Sequence, residues 1–169
     1  MDLKELLTDL NESNLKELYI TYKKSIFLFV LGIVKDYNLC EDITEEVFLR
    51  IIKYCKSYDK MQNPKTWIFT IAKNTAYTYL SKNKEVCFDD NQLEFIINKH
   101  NSIKNDTSIV VEEYLSHLTE IERNIVVLHI FGGLKHHEIA KILNIKSSQV
   151  RTKYAYALKK LKRRIYEKK

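Results

Sequence analysis

Glycine and proline are almost missing from this chain of 169 residues, which has three Gly and one Pro. Their scarcity excludes a turn-rich all-β fold and a glycine loop built to cradle nucleotide phosphates. Long apolar runs are missing too. The longest, Ile26 to Val34, is nine residues even counting Gly32, against roughly 20 for a membrane span. The opening residues Met1-Asp2-Leu3-Lys4-Glu5 lack the character of a signal peptide. Cysteine is sparse and odd in number: Cys40, Cys55 and Cys87 contain no C-x-x-C pair, so reduced, buried thiols are expected rather than a disulfide framework. What is present is 45% hydrophobic and 30% charged residues, enough to fold. The expectation is a soluble, cytoplasmic, mostly helical protein.

Catalytic signatures are missing as well. The sequence contains no G-x-S-x-G, H-E-x-x-H or G-x-x-x-x-G-K-[ST]. The histidine cluster His136-His137 is a pair of neighbours, whose side chains diverge by about 100° on a helix. It is expected to face solvent rather than hold a metal. No catalytic residue, metal or cofactor is assigned.

Charge is unevenly distributed. Lys135 to Lys169 holds twelve basic and two acidic residues, a local charge of +10, although the whole chain carries only +6. Lys60 to Lys84 holds five lysines and no acid, whereas Glu85 to Tyr114 has a net charge of −5. Two basic blocks separated by an acidic one are the footprint of a chain that touches polyanion twice.

Apolar periodicity supplies the helices. Leu15, Leu18, Tyr22, Ile26, Phe29 and Ile33 recur at steps of three and four, predicting one amphipathic helix over 14–35. Ile43, Val47, Ile51 and Tyr54 mark a second, with Glu41, Asp42, Glu45 and Glu46 off the stripe and near the positive end of its dipole. Asn63-Pro64 is a helix-start signal, a cap followed by proline at the first helical position. The helix it opens should reach about Ser81. Trp67, Ile68, Ile71, Ala72, Thr75 and Tyr79 should be buried there. Thr66, Thr70, Lys73 and Tyr77 should project outward, with Phe69 and Leu80 beside them. Aromatic, hydroxyl and Lys groups without acids suit base stacking and phosphate contact. Residues 84–110 read as a linker with a short helical piece near Leu93–Ile97. Thr119 with Glu122 has capping-box spacing, opening a helix to about Phe131 that Gly132-Gly133 ends.

Lys135 to Lys160 has the pattern of a helix-turn-helix. Ile139 and Leu143 face a core, small Ala140 allows a close crossing, and Asn144 sits at a left-handed turn. Ile145 plugs the turn, Val150 anchors the second helix, and Tyr154, Leu158 and Leu161 continue its buried stripe. Ser148, Gln149, Arg151, Thr152 and Ala155 are left outward, with Lys153 on the flank. The first turns of such a helix reach base edges in the major groove. There Arg suits guanine, Gln suits adenine, and Ala or Thr suits a thymine methyl. Lys159, Lys160, Lys162, Arg163 and Arg164 are placed for phosphates.

Two further segments, in this order, make the chain resemble a bacterial RNA polymerase sigma factor of the extracytoplasmic-function (ECF) group of the sigma-70 family. Cys40-Glu41-Asp42-Ile43-Thr44-Glu45-Glu46-Val47-Phe48-Leu49-Arg50 resembles the family's A-E-D-L-x-Q-E-V-F-L-R, and Lys65-Thr66-Trp67-Ile68-Phe69-Thr70-Ile71-Ala72-Lys73-Asn74 resembles its A-W-L-x-x-I-A-R-N helix. The resemblance covers about 14–83 and 112–165. It implies an all-α protein of two small domains: a region 2 helical bundle (1–83) and a region 4 helix-turn-helix (112–169), joined by an acidic linker (84–111).

The resemblance also implies roles. Glu41, Asp42, Glu45, Glu46, Phe48 and Leu49 would meet a coiled coil of the largest subunit of core RNA polymerase. Asn63, Lys65, Thr66, Lys73, Asn74 and Tyr77 would recognise and help melt the minus-ten element of promoter DNA. Ser148, Gln149, Arg151, Thr152, Lys153 and Ala155 would read the minus-thirty-five element as duplex. The linker would thread near the RNA path. No catalysis is implied, and control falls to expression level or to a separate inhibitor, an anti-sigma factor.

Departures from the family pattern are Glu45 where Gln is usual, Asn144 for the turn Gly, Gln149 where Thr is frequent, and Lys135 and Lys146 at capping positions, with Ser147 as a substitute cap. Five Arg in the whole chain point to an A·T-leaning promoter, because bidentate guanine contacts are few. Two other readings are a stand-alone helix-turn-helix regulator and a helical interaction protein with an incidental basic tail.

Overall fold

A computed structural model describes residues 3–82 and 113–167, and every described element is helical. Helix α1 (Leu3–Thr8) tucks Leu3, Leu6 and Leu7 into the core. Helix α2 (Glu12–Val34) begins where Asn11 accepts a hydrogen bond from the Asn14 N–H, and ends at Lys35 in a left-handed conformation. Helix α3 (Tyr37–Tyr54) is capped by Asp36, which accepts from the Leu39 N–H at 3.0 Å. The acids expected in the first turns therefore follow a first turn, Tyr37 to Cys40, that holds none. Glu41 and Asp42 lie beyond the first turn, and the cap, not the dipole, sets the helix origin. Tyr54 is corrected: at the end of α3 it is half exposed, whereas Ile43, Val47 and Ile51 are buried.

Helix α4 (Pro64–Lys82) starts as the Asn-Pro signal predicts. Asn63 Oδ1 accepts from the N–H groups of Lys65 and Thr66. Its buried side is rotated from the expected one. Phe69, placed beside the outward face, is fully buried and meets Phe29 of α2 edge-to-face, their ring centroids 5.7 Å apart. Trp67, Ile71 and Tyr79 are only partly buried.

Helix α5 (Glu120–Val126) opens with the expected capping box, the Thr119 N–H donating to Glu122 at 3.0 Å. It continues as a π-turn over Val127–Phe131, which the sequence did not announce. Gly132 follows, and Gly133 adopts φ 64°. Helix α6 (His136–Leu143) and helix α7 (Ser147–Glu167) form the helix-turn-helix, with Asn144 left-handed at φ 55° as expected. Along α7, Val150 and Ala157 are fully buried. Leu158, expected in that stripe, is 39% exposed, because the neighbouring helices cover α7 along Ala157 and leave its far end bare.

The two halves share one core. The run Ile26–Val34 is apolar all round, and every residue of it except Phe27 is buried. A helix segment apolar on every side needs cover on every side. Helices α3 and α4 supply part of it, while α5 and the π-turn close the rest. Gly32 marks the closest approach: a β-carbon there would stand 2.6 Å from Asn124 Oδ1. Beside it, the buried Arg123 guanidinium donates to the carbonyls of Leu115, Leu118 and Gly32. The expected linker, its helical piece and Cys87 lie outside the described residues. Cys40 is buried and unbridged, its thiol donating to the Phe27 carbonyl, and Cys55 is half-buried.

Candidate nucleic-acid interface

The first turns of α7 project as the helix-turn-helix pattern requires. Ser148, Gln149, Arg151, Thr152 and Ala155 are all exposed, and Lys153 lies partly covered on the flank. At 100° per residue, four of these five face one side of the helix within about 100° of arc, with Gln149 at the edge. Gln149 has a second task. Its Oε1 accepts from the Lys146 N–H at 3.0 Å, so it caps α7 from the third helical position. Glu138 does the same for α6, accepting from the Lys135 N–H at 2.7 Å. The caps missing at Lys135 and Lys146 are thus supplied three residues downstream, not by Ser147.

A cluster unseen in the sequence supports this helix from behind. His129 on the π-turn, His136 at the start of α6 and Tyr154 on α7 pack ring to ring, with centroids 4.7–5.1 Å apart. His129 Nδ1 lies 2.7 Å from the Leu134 carbonyl, so it must carry the proton and donate. His136 is therefore not the solvent-facing residue expected, although His137 is exposed. Its Nε2 is buried without a hydrogen-bond partner. Burial, then the charges of His129 and Arg151, hold its imidazole below the ordinary value of 6.5. Among the described residues no group of three or more His, Cys, Asp or Glu is placed to hold a metal.

Of the residues expected to meet single strands, Asn63, Lys73 and Tyr77 are contacted by the second half of the chain. Lys73 Nζ donates to the Ile142 carbonyl at 2.6 Å, and Asn63 Nδ2 donates to Glu138 Oε1 at 2.5 Å. Tyr77 reaches Glu120 at 3.4 Å. Burial, then the Glu120 carboxylate, raise that phenol above its ordinary range. Thr66 is partly buried with its hydroxyl unpartnered, and Lys65 Nζ lies against Gly133. Asn74 is exposed.

On α3, Glu41, Asp42 and Glu45 are exposed, Glu46 is partly covered and pairs with Arg50 at 2.6 Å, and Leu49 is 60% exposed. Phe48 is corrected. It is 4% exposed, with its ring against Tyr19 at 4.7 Å, and it holds α3 on α2 rather than facing a partner.

Two family models match the chain, "Sigma-70 region 2" over residues 18–86 and "Sigma-70, region 4" over 108–161. The ECF RNA polymerase sigma factor SigM of Bacillus subtilis is 29% identical over 150 residues, covering 86% of this chain and 91% of SigM. The RNA polymerase sigma factor SigV of the same organism is 30% identical over 142 residues, 82% of each chain. The chain belongs to the sigma-70 family, as an ECF sigma factor.

A sigma factor binds core RNA polymerase and directs it to promoter DNA, and this sigma factor carries both regions for that work. A lone helix-turn-helix regulator would need only the second. In fold it is similar to the sigma factor RpoE of Bartonella quintana in complex with the anti-sigma factor NepR. The TM-score is 0.64 at 15% identity, over 88% of this chain and 94% of the other. Among the described residues no helix is long and apolar enough to cross a membrane.

Proposed function

We propose that this sigma factor grips promoter DNA with two different surfaces, duplex at α7 and opened strand at α4, while the acids of α3 dock it on polymerase. The observation that carries the reading is the exposed stripe Ser148, Gln149, Arg151, Thr152 and Ala155 on a helix whose opposite side is anchored by Val150 and Ala157. A rigid helix presenting short polar groups and one Arg suits base edges. Lysines and arginines further along suit phosphates.

The unpairing of a base costs a few kcal/mol, which stacking and hydrogen bonding can offset. Asn63, Lys65, Thr66, Lys73, Asn74 and Tyr77 supply those groups. Glu41, Asp42, Glu45, Glu46 and the exposed Leu49 form an acidic ridge with one apolar point, suited to a basic coiled coil. Residues 1–83 and 112–169 act as the two functional units. The protein works in the cytoplasm, where core enzyme and DNA are, without catalysis of its own. An anti-sigma factor is a fitting inhibitor for a chain with this fold.

Run-off transcription with purified core polymerase tests the reading. Initiation at discrete sites, lost or redirected in Arg151→Ala, is the expected result. No initiation anywhere on genomic DNA would overturn it.

A further inference from the structure

We infer that Gln149 reads guanine in the minus-thirty-five element, because its amide oxygen is already engaged at the start of α7 and its N–H donors are what it has left for a base. The inference rests on the promoter-reading function above and narrows it at one side chain.

The cap fixes which way the amide faces. Helix α7 begins at Ser147, behind Lys146, whose side chain has donors and no acceptor. Backbone N–H groups at a helix start lack helical partners. The side chain at the third helical position can reach back to the N–H of the cap residue. Gln149 does so, its Oε1 accepting from the Lys146 N–H at 3.0 Å. An N–H needs an acceptor, so the two ends of this amide are not interchangeable. Turning it over would set NH2 against N–H and leave the backbone donor unpaired once DNA displaces water.

What remains outward is a donor. Gln149 is exposed at the edge of the stripe that holds Arg151 and Thr152. A glutamine with both ends available pairs with adenine, giving an N–H to N7 and accepting one from N6. In Gln149 the accepting half of that pairing is turned back to the backbone. In the major groove guanine shows two acceptors, O6 and N7, and no donor. Thymine shows one acceptor beside a methyl group, and cytosine shows a donor. The NH2 group therefore fits guanine best. Thr152 is engaged in the opposite sense: its hydroxyl donates to the Ser148 carbonyl at 3.1 Å, leaving a methyl group and lone pairs for the groove. Hydrogen bonds within the helix thus sort the stripe into donors at Gln149 and Arg151 and a methyl-bearing acceptor at Thr152. The adenine pairing expected from side-chain type alone gives way to guanine.

Glu138 supplies an internal comparison. It stands at the third position of α6 and meets the Lys135 N–H in the same way, at 2.7 Å. A carboxylate therefore serves this cap as well as an amide does. Gln149→Glu should keep the start of α7 while exchanging the outward donor for an acceptor oxygen, which guanine repels.

The test uses full-length protein with core polymerase. Wild-type, Gln149→Glu and Gln149→Ala holoenzymes select from duplexes with a randomised minus-thirty-five element, and the selected pools are sequenced. One G·C pair should be enriched in wild type and lose at least about five-fold of its preference in both variants. Guanine replaced there by 7-deazaguanine, which lacks the N7 acceptor, should weaken wild-type binding at least about three-fold and leave Gln149→Ala unchanged. Thermal melts check the cap: Gln149→Glu should keep the wild-type midpoint and Gln149→Ala should lower it. An A·T pair as the one that answers to Gln149, or no pair that does, would overturn the inference, as would a Gln149→Glu midpoint as low as that of Gln149→Ala. Run-off transcription separates this from the function itself. Were no holoenzyme to select an element or initiate, the promoter-reading function would fail; were all to initiate with no G·C pair answering to Gln149, the guanine assignment alone would fail.

Discussion

Both carboxylate oxygens of Glu122 accept hydrogen bonds from the ammonium of Lys160, at 2.7 and 2.9 Å. One cation of the basic tail is therefore paired within the chain at its half-exposed surface, tying the middle of α7 to the capping box of α5. Glu122 is 8% exposed. Burial would raise its carboxyl, but Lys160 and the Thr119 N–H more than offset this and hold it below the ordinary value of 4.5.

Lys160→Ala should cost about 1–2 kcal/mol, because it leaves a nearly buried acid unpaired on one side. A lowered carboxyl contributes stability that is complete above its unfolded value and lost as pH falls through its folded value. Denaturant melts at pH 7 should show the loss. It should shrink on acidification below about pH 4.5, as wild type gives up the same contact.

His136 should make the helix-turn-helix acid-sensitive by the opposite route. Its folded imidazole takes up a proton less readily than an unfolded one, so its stability contribution is whole above about pH 6.5 and declines as pH falls below it. His129 and Tyr154 pack against it, and the charges of His129 and Arg151 oppose its protonation. Thermal midpoints between pH 7.5 and 5.5 should fall in wild type and fall less in His136→Gln. Equal slopes in the two would contradict the assignment.

Arg151 and Lys162 should separate specificity from adhesion. Arg151→Ala, at the exposed start of α7, should lose about 1–3 kcal/mol of discrimination at one base pair. Lys162→Ala should weaken all duplexes alike and lower the salt slope by about one. Competition binding of holoenzyme at several salt concentrations distinguishes them.

Charge reversal on the α3 ridge should act on the polymerase and not on DNA. Replacing Asp42 and Glu45 by Lys leaves the core untouched, since both side chains are exposed. If the acids dock on a basic surface as proposed, affinity for core enzyme should fall at least about ten-fold, because like charges would then meet. Phe48→Ala should instead lower stability by about 3–5 kcal/mol, as a core cavity does. Pull-down of core subunits alongside a thermal melt tells the two outcomes apart.

Local chemistry was legible where a few neighbouring residues decide it. Asn63-Pro64 opens α4, Thr119 with Glu122 opens α5, and Asn144 takes the left-handed turn. The exposed stripe of α7 followed from helical spacing alone. The buried face of α4 did not, because that helix has α2 on one side and α6 on another, so no single stripe records its surroundings. Phe48 went unread for a related reason: its place in a family motif says which residues recur together, while its ring direction depends on Tyr19 of another helix.

By itself the amino-acid order determined an all-helical chain, a helix-turn-helix at its basic end and the family to which it belongs. The first two rest on short-range periodicity, caps and charge, which act within a turn or two, and the third on the likeness of Cys40–Arg50 and Lys65–Asn74 to the family's segments. Tertiary structure alone decided that Asn63 meets Glu138 and that Lys73 meets Ile142, residues 75 and 69 positions apart. Contacts over such separations are set by which apolar surfaces bury one another, a property of the folded whole that no stretch of sequence carries.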